Sequence, residues 1–478
     1  MANGSFLGAC AAVVASLICS TTTEAARPTG LFSDNAVLQQ GISVPVWGTA
    51  DDGEKVTVRF QGQTVSTVAC DGRWMVRLKP LKAGGPFDMV ISGANTVELK
   101  NILVGEVWVC GGQSNMQFGL VGSDGGSEAV AASRDPMMRL LSVPVEPSVT
   151  PKADVESKWA ECGPDTSAYF SAVGFYFGRE LRKALNVPVG LINASCGGTT
   201  VEAWTPKRVQ PDVGWAYHRW THSEPEERQA TNHASAMYNG MIAPLIPYGV
   251  RGAIWYQGES NAEWASLYRE RFPRMIRGWR EDWGEGEFPF LFAQLAPYMR
   301  IVDKPEESSW AELREAQFLT SRNCPNTAVA ATVDVGDPND VHPTRKEPVG
   351  VRLALAARAK VYGQRVAWQS PTYKSMKIDG DRIVVSFDGV GKGLEARGGK
   401  LTGFAVAGED RKFFNAEACI TGTGKVTVHS AKVSRPIAVR LGWANCPVVN
   451  LYNIDGLPAL PFRTDDFPMV TASKQPGR

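Results

Sequence analysis

The sequence predicts an α/β protein in which a central domain with a parallel sheet lies between two antiparallel β domains. Residues 26–103 and 366–478 consist of short apolar or alternating runs that Gly and Asp turns separate, a pattern typical of antiparallel, sandwich-like sheets. Residues 104–365 instead alternate buried apolar runs with amphipathic helical segments, which favours a three-layer α/β/α domain. The length of 478 residues accommodates these three domains.

Local patterns support each element of the outer domains in turn. A run that is apolar or alternates with polar residues, bounded by turn residues, indicates a strand. Such runs lie at 44–48, 55–60 and 74–78 in the first domain, and at 382–387, 404–407, 425–429 and 438–441 in the last.

The central domain alternates strands with helices. Apolar residues recur at helical spacing from Ala172 to Leu185, and Pro188 follows where the helix should have ended. Predicted strands at 104–110, 189–194, 251–257, 289–295 and 328–335 alternate with predicted helices at 172–185, 263–283, 310–320 and 349–361. This alternation predicts that the strands run parallel and end at one edge of the sheet.

Composition and charge exclude several classes of partner. The formal net charge is +1, so neither a nucleic acid nor an anionic membrane surface is indicated as a partner. The apolar stretch at 6–19 is too short to span a bilayer, and Thr23-Glu24-Ala25 resembles a cleavage site. We therefore expect residues 1–25 to be a signal peptide and the mature protein to be secreted or periplasmic. The sequence does not indicate an oligomeric state.

The nine cysteines do not form a metal-binding pattern. No Cys or His spacing is that of a zinc site, so no metal is expected. Cys419 and Cys446 belong to one predicted β domain, where they would form a disulfide or remain two buried thiols.

A serine follows the first predicted strand of the central domain. The strand ends at Gly111-Gly112, and Gln113-Ser114-Asn115-Met116 comes next. Glycines let the backbone turn sharply, and ligands of an open α/β sheet bind beyond the carboxyl ends of its strands. The pattern therefore predicts that the Ser114 hydroxyl is displayed at that edge.

Two further strand ends carry groups that could act with a serine. Gly197-Gly198 follow the second strand, and Gln257-Gly258-Glu259-Ser260-Asn261 follow the third. Backbone N–H groups of a glycine turn and an asparagine amide can both stabilise an oxyanion. Ser260 also stands in a Gly-x-Ser-Asn pattern, so it is an alternative nucleophile with Asn115 as the oxyanion donor. Glu259 beside Ser260 would, however, oppose formation of an alkoxide.

The candidate base is His342, which alone among five histidines lies in a loop directly after a predicted buried strand. Asp340, two residues earlier, can point to the same side as His342 in an extended loop and hold the imidazole in one tautomer. Asp337 is a second candidate for this acid. Arg314, on a predicted helix, is expected either to bind a substrate carboxylate or to have a surface or helix-pairing role.

Taken in order, these motifs resemble those of the SGNH-type (GDSL-like) hydrolases, and specifically of the sialate O-acetylesterase-like branch. The motifs that carry the resemblance are Gly112-Gln113-Ser114-Asn115, Gly197-Gly198-Thr199, Trp255-Tyr256-Gln257-Gly258-Glu259-Ser260-Asn261 and Asp340-Val341-His342-Pro343. The resemblance spans nearly the whole mature chain. It implies a flavodoxin-like SGNH-hydrolase domain and a serine esterase that acts on O-acetylated carbohydrate without a cofactor.

The resemblance also assigns roles. It implies that Ser114 is the nucleophile, His342 the base and Asp340 the orienting acid. Gly198, with Gly197 as the alternative, and Asn261 would form the oxyanion hole. We further expect four side chains to contact the substrate, namely Gln113, Gln257, Glu259 and Arg314. The expected substrate is an acetylated sialic acid or, alternatively, an acetylated plant polysaccharide such as xylan. Two alternatives from other classes are also open. One is a non-catalytic carbohydrate-binding protein, and the other is a glycoside hydrolase that uses two carboxylates, for instance Glu259 with Asp334 or Asp337.

Overall fold

The computed structural model describes residues 1, 25–214 and 230–474. The predicted signal peptide at 1–25 therefore lies almost wholly outside the described residues. Among the helices of the described part, none combines the length and the apolar character that a membrane span requires.

The first region contains eight strands. They are β1 (Arg27–Pro28), β2 (Val37–Gln39), β3 (Val44–Thr49), β4 (Lys55–Phe60), β5 (Gln63–Val68), β6 (Arg73–Leu78), β7 (Gly84–Ser92) and β8 (Thr96–Gly112). Strands β1, β3 and β6 pair antiparallel as one sheet, whereas β5, β4, β7 and the first half of β8 pair antiparallel as another. The alternating exposure of β4 and β6 shows that one face of each strand is buried.

The central region surrounds a parallel sheet. Its further strands are β9 (Asp135–Ser142), β10 (Ala160–Cys162), β11 (Val189–Ser195), β12 (Gly252–Tyr256), β13 (Phe290–Ala293) and β14 (Thr327–Ala330). Its α-helices are α1 (Ser114–Gln117), α2 (Gly126–Ala131), α3 (Pro164–Ser167), α4 (Ala172–Leu185), α5 (Ala265–Trp283), α6 (Ser309–Asn323) and α7 (Glu347–Lys360). The strand order is β10-β9-β11-β8-β12-β13-β14, and all neighbours pair parallel except β10 with β9.

Strand β8 belongs to both regions. Its first residues pair antiparallel with β7, and its last residues pair parallel with β11 and β12. The predicted boundary at 103/104 falls inside this continuous strand. The strand that ends just before Ser114 is therefore anchored in two hydrophobic cores at once.

Helices cover both faces of the central sheet. On one face α4 and α7 pack over Trp108, Cys110 and Ile254, whereas α5 and α6 pack on the opposite face against Trp255 and Phe290. Because both faces are buried, the strands are apolar at nearly every position.

The last region is built from ten short strands. They are β15 (Thr372–Asp379), β16 (Arg382–Asp388), β17 (Leu394–Ala396), β18 (Phe404–Ala407), β19 (Phe413–Asn415), β20 (Glu417–Gly422), β21 (Lys425–His429), β22 (Ala438–Leu441), β23 (Leu451–Asn453) and β24 (Phe462–Arg463). They form antiparallel sheets with the orders β15-β16-β21-β20, β19-β18-β22-β24 and β17-β23. Cys419 and Cys446 are both free thiols.

The predicted mixed α/β fold with a parallel sheet is confirmed, and the clearest local difference lies at the last strand of that sheet. The prediction continued this strand to Val335, but it ends at Ala330. Side chains take the place of strand pairing beyond that point: the Thr332 hydroxyl donates to the Gln294 carbonyl at 2.9 Å, and Asp334 pairs with Arg352 at 2.7 Å. The chain therefore leaves the sheet early and enters the loop that carries His342.

A partly buried carboxyl group after α5 predicts a pH dependence of stability. Burial raises the pKa of Glu285 to about 7 from an ordinary value of 4.5, although Arg77 and Arg251 act in the opposite direction. The folded protein thus holds a proton that the unfolded chain has lost between these two pH values. Stability from this group is present below about pH 4.5 and is lost as the pH rises to about 7.

We therefore expect Glu285→Gln to raise the midpoint of thermal unfolding more at pH 8 than at pH 5. The amide keeps the shape of the side chain but never carries the buried charge. Glu98→Gln, at an exposed position, is the matched control and should shift the midpoint equally at both pH values. An equal effect of Glu285→Gln at pH 5 and pH 8 would contradict the prediction.

Candidate active site

Ser114 begins α1 at the carboxyl end of β8. The turn before it depends on Gly112, which has a φ of 140° and whose added Cβ would lie 2.2 Å from the Tyr256 carbonyl oxygen. Only glycine suits this conformation and this close approach. The Gln113 N–H then donates to the same Tyr256 carbonyl at 3.0 Å. The turn is thereby fixed against β12, and the half-buried Ser114 lies at the carboxyl edge of the sheet.

His342 reaches Ser114 from the loop after β14. Its Nε2 lies 2.8 Å from Ser114 Oγ, although the two residues are 228 positions apart in the chain. Asp340 Oδ1 accepts a hydrogen bond from the His342 main-chain N–H at 2.8 Å and lies 3.5 Å from its Nδ1. A proton on Nδ1 would face Asp340 and leave Nε2 free to accept the serine proton. The geometry therefore suits transfer of that proton to His342.

Two other acids near this loop have different partners. Asp337, the second candidate for the orienting acid, accepts a hydrogen bond from the Asn339 N–H at 2.7 Å. Asp334 forms a bidentate salt bridge with Arg352. Burial acts to raise the pKa of Asp334, but the salt bridge outweighs it, and the pKa lies below its ordinary value. Of these three aspartates, Asp340 is the one in contact with His342.

The glycine turn after β11 lies against the nucleophile. A Cβ added to Gly197 would lie only 3.3 Å from Ser114 Cβ, so a side chain there would crowd the serine. The Gly197 N–H already donates to Gln117 Oε1 at 2.9 Å. Within residues 25–214 and 230–474, by contrast, the N–H groups of Gly198 and Ser114 meet no hydrogen-bond acceptor. Gly198 stays the first choice for an oxyanion donor and Gly197 the alternative, and this role stays a prediction.

Asn261, the other predicted oxyanion donor, is buried in a polar network after β12. Its Nδ2 donates to Glu202 Oε2 at 3.0 Å, and its Oδ1 accepts from the Val201 N–H at 2.9 Å and from Gln257 Nε2 at 2.7 Å. One of the two amide hydrogens is therefore used within the protein. The network fixes the direction of the amide, and the role of Asn261 toward an oxyanion stays a prediction.

The predicted substrate contacts of two glutamines do not fit their positions. Gln257 is fully buried, with its Nε2 3.1 Å from the Thr199 carbonyl and its Oε1 3.0 Å from the Tyr268 hydroxyl. Gln113 is also buried, and its Oε1 accepts from the N–H groups of Gly258 and Ser260, each at 3.3 Å. Both side chains hold the loops around the serine in place.

Arg314 requires a similar correction. Its side chain is buried, and its guanidinium donates to the carbonyls of Leu295 at 2.9 Å, Ala444 at 2.8 Å and Asn445 at 2.6 Å. The forked donors are thus occupied by main-chain oxygens. Arg314 connects α6 to the last β region instead of meeting a substrate carboxylate or pairing on the surface.

Two further polar residues, Asn115 and Lys346, lie near the serine. Lys346 had no assigned role in the sequence-based interpretation, and Asn115 was only the oxyanion donor of the alternative with Ser260 as the nucleophile. Asn115 contacts Glu259, Lys346 and the Val341 carbonyl from its position next to Ser114. Burial raises the pKa of Glu259 and lowers the pKa of Lys346 to about 7. Glu259 is 6% exposed, and its contact with a substrate stays a prediction. The adjacency of Asn115 to Ser114 is visible in the sequence, but nothing in the sequence pointed to the contacts of Asn115 with Glu259 and Lys346.

The comparisons with known proteins concern the same region. The family described as carbohydrate esterase, sialic acid-specific acetylesterase, matches residues 104–359. The fold and this match define the protein as a carbohydrate esterase. More specifically, the chain belongs to the sialic acid-specific acetylesterase family.

Individual relatives agree with the family assignment. The sialate O-acetylesterase of Rattus norvegicus is 30% identical over 397 residues, which cover 70% of this chain and 73% of the rat protein. That of Homo sapiens is 31% identical over 384 residues, covering 72% of this chain and 73% of the human protein. The crystal structure of a carbohydrate acetylesterase from Xanthomonas citri matches with a TM-score of 0.86 and 40% identity, covering 92% of this chain and 100% of that one. The likeness therefore extends beyond the central domain.

Proposed function

We propose that this protein is a serine esterase that removes O-acetyl groups from carbohydrate through an acetyl-enzyme intermediate. The observation that carries the proposal is the 2.8 Å contact between His342 Nε2 and Ser114 Oγ at the carboxyl edge of the parallel sheet. A nucleophile within hydrogen-bonding reach of its base is the geometry that covalent catalysis requires. Because residues 1–25 are predicted to be a signal peptide, we propose that the enzyme is secreted or periplasmic.

The first half of the reaction is acyl transfer to the enzyme. His342 takes the proton of Ser114 while Oγ attacks the acetyl carbonyl carbon, and Asp340 stabilises the resulting imidazolium. The N–H groups of Ser114 and Gly198 and the Asn261 amide stabilise the oxyanion, where loss of one donor typically costs about 3 kcal/mol. The C–O bond to the sugar then breaks, and the sugar oxygen takes the proton from His342.

The second half restores the enzyme. Water attacks the acetyl-enzyme while His342 accepts one of its protons, and acetate leaves as Ser114 regains its hydrogen. Each step uses groups of this chain and water, so no cofactor is needed.

Two acetylated sugars are candidates for the substrate. The family and the mammalian relatives favour an acetylated sialic acid, which carries a carboxylate. The burial of Arg314 removes the cation that we expected to bind this carboxylate. An acetylated plant polysaccharide such as xylan stays the alternative substrate.

Acetate release tests this function. We expect the wild-type protein to hydrolyse p-nitrophenyl acetate and to release acetate from acetylated sialic acid, from acetylated xylan or from both. The same glycans after chemical deacetylation serve as controls and should release none. Binding of the acetylated glycans without turnover of any acetyl ester would contradict the proposal and indicate a carbohydrate-binding protein.

A further inference from the structure

Three buried polar side chains contact one another next to Ser114 and His342 in the chain fold, and the proposed mechanism uses none of them. Asn115 and Lys346 are each 1% exposed, and Glu259 is 6% exposed. They come from different parts of the chain: Asn115 from α1, Glu259 from the segment after β12, and Lys346 from the residue just before α7. We call these three residues the amide cluster.

Asn115 is the centre of the amide cluster. Its Nδ2 donates to Glu259 Oε1 at 2.5 Å and to the Val341 carbonyl at 2.9 Å. Its Oδ1 accepts a hydrogen bond from Lys346 Nζ. An asparagine amide offers two donor hydrogens, so both are used here. One side chain thus joins the serine turn to two other loops at the same edge of the sheet.

The bond to Val341 bears directly on His342. The Val341 carbonyl and the His342 N–H belong to the same planar peptide group. Asn115 donates to the carbonyl of this group, and Asp340 Oδ1 accepts from its N–H at 2.8 Å. The peptide is therefore held from both ends, and its orientation determines the direction in which the His342 side chain leaves the backbone.

The charges of the amide cluster are separated by the amide. Lys346 Nζ lies 4.6 Å from the centre of the Phe118 ring and 5.8 Å from that of Tyr256. Glu259 Oε2 has no hydrogen-bond partner within the part of the chain that the structure describes. Burial disfavours the charged form of each group, whereas Lys346 favours the anionic form of Glu259. The neutral Asn115 amide lies between the two groups and forms a hydrogen bond with each of them.

We propose that Asn115, held by Glu259 and Lys346, is a positioning residue that sets the place of His342 relative to Ser114. This inference rests on the proposed function, because it assigns Asn115 to the proton transfer between those two residues. Without the amide, the peptide before His342 is held at one end only, and Nε2 moves away from Oγ. A displacement of about 1 Å can lower a rate by about 100-fold.

The test compares Asn115→Ala with a matched variant outside the amide cluster. Asn239 is also buried, and its amide donates to two main-chain carbonyls, those of Ser148 at 3.1 Å and Val149 at 2.9 Å. Both variants lose the same kind of buried loop contact. We expect Asn115→Ala to lower kcat for p-nitrophenyl acetate by about 10- to 100-fold, with little change in KM. Asn239→Ala should keep its kcat.

Reaction with a fluorophosphonate separates positioning from folding. The rate of covalent labelling depends on activation of Ser114, so it should fall in Asn115→Ala by about the same factor as kcat. The midpoint of thermal unfolding of Asn115→Ala should be similar to that of Asn239→Ala. Should Asn115→Ala not fold, Asn115→Asp is nearly isosteric and keeps the acceptor for Lys346, but as a carboxylate it cannot donate to Val341 or to Glu259. It is expected to show the same loss of kcat.

The inference is overturned if a folded Asn115→Ala or Asn115→Asp keeps kcat and labelling rate within about twofold of wild type. It is also overturned if kcat falls only by the fraction of protein that is unfolded. Ser114→Ala is measured in parallel. Full activity of that variant would refute the proposed function itself, whereas an inactive Ser114→Ala beside a fully active Asn115→Ala would refute the positioning role alone.

Discussion

Ser114→Ala should lower kcat for hydrolysis of p-nitrophenyl acetate by at least about 1,000-fold, because no hydroxyl remains to form the acetyl-enzyme. His342→Ala should have an effect of similar size, since Nε2 lies 2.8 Å from Ser114 Oγ and no other base is placed to accept its proton in the proposed mechanism. Initial rates over a range of substrate concentrations measure both effects. The double variant should be little worse than either single variant, because the two residues act as one unit.

Ser260→Ala is the matched control for this experiment. Ser260 stands in the same Gly-x-Ser-Asn pattern, but it is 2% exposed and its N–H donates to Gln113 Oε1. We expect this variant to keep kcat within a few fold. An active Ser114→Ala, or an inactive Ser260→Ala with an unchanged thermal midpoint, would contradict the assignment. Loss of activity in Glu259→Gln together with full activity in Ser114→Ala would instead indicate the two-carboxylate glycoside hydrolase.

Arg314→Ala should lower the free energy of unfolding by about 3 kcal/mol or more, because it leaves buried carbonyl groups without their donor. The guanidinium bonds connect α6 to residues 444 and 445 of the last β region. The loss should therefore affect the contact between the central and last regions as well as the local packing. Urea unfolding followed by tryptophan fluorescence measures the change, and Trp443 lies next to this contact in the sequence.

Arg322→Ala provides the control for Arg314→Ala. Arg322 lies on the same helix but is exposed, and removal of an exposed charge usually changes stability by less than about 0.5 kcal/mol. The two variants should therefore differ clearly in stability, with KM for acetylated sialic acid unchanged in both. If Arg314→Ala raised this KM and were no less stable than Arg322→Ala, the original expectation of a substrate carboxylate contact would be restored.

The periodic patterns of the sequence were sufficient to predict the α/β fold. A sheet that is covered by helices on both sides needs strands that are apolar on both faces and helices with one apolar face. Strand β11 and helix α4 show these two patterns in the sequence. The end of β14 could not be predicted in this way, because Val333 and Val335 are also buried. Their burial arises from packing outside the sheet, which a pattern of apolar residues does not distinguish from a strand.

The burial of Arg314 could have been inferred from spacing. Trp310, Leu313, Arg314 and Gln317 lie on one face of α6, and all four are buried. A charged residue on an apolar face indicates an internal partner at least as strongly as a ligand. The forked shape of the side chain gave no means of choosing between a substrate carboxylate and main-chain carbonyls.

The amide cluster could not be predicted from one sequence. Asn115 and Lys346 are 231 positions apart, and no local pattern connects residues at such a distance. Lysine is also among the residues least often buried, so its position before α7 suggested only an ordinary helix end. The order of the motifs placed Ser114 and His342 at one edge of the sheet, whereas the contacts that hold them there required the structure.

The most direct test of the acetyl-enzyme mechanism is to locate the covalent bond that the nucleophile forms. The wild-type protein is treated with a fluorophosphonate until activity is lost, digested, and examined by mass spectrometry for the modified peptide. We predict a single adduct on Ser114, and its loss in Ser114→Ala and in His342→Ala. An adduct on Ser260, or complete inactivation with Ser114 unmodified, would contradict the mechanism.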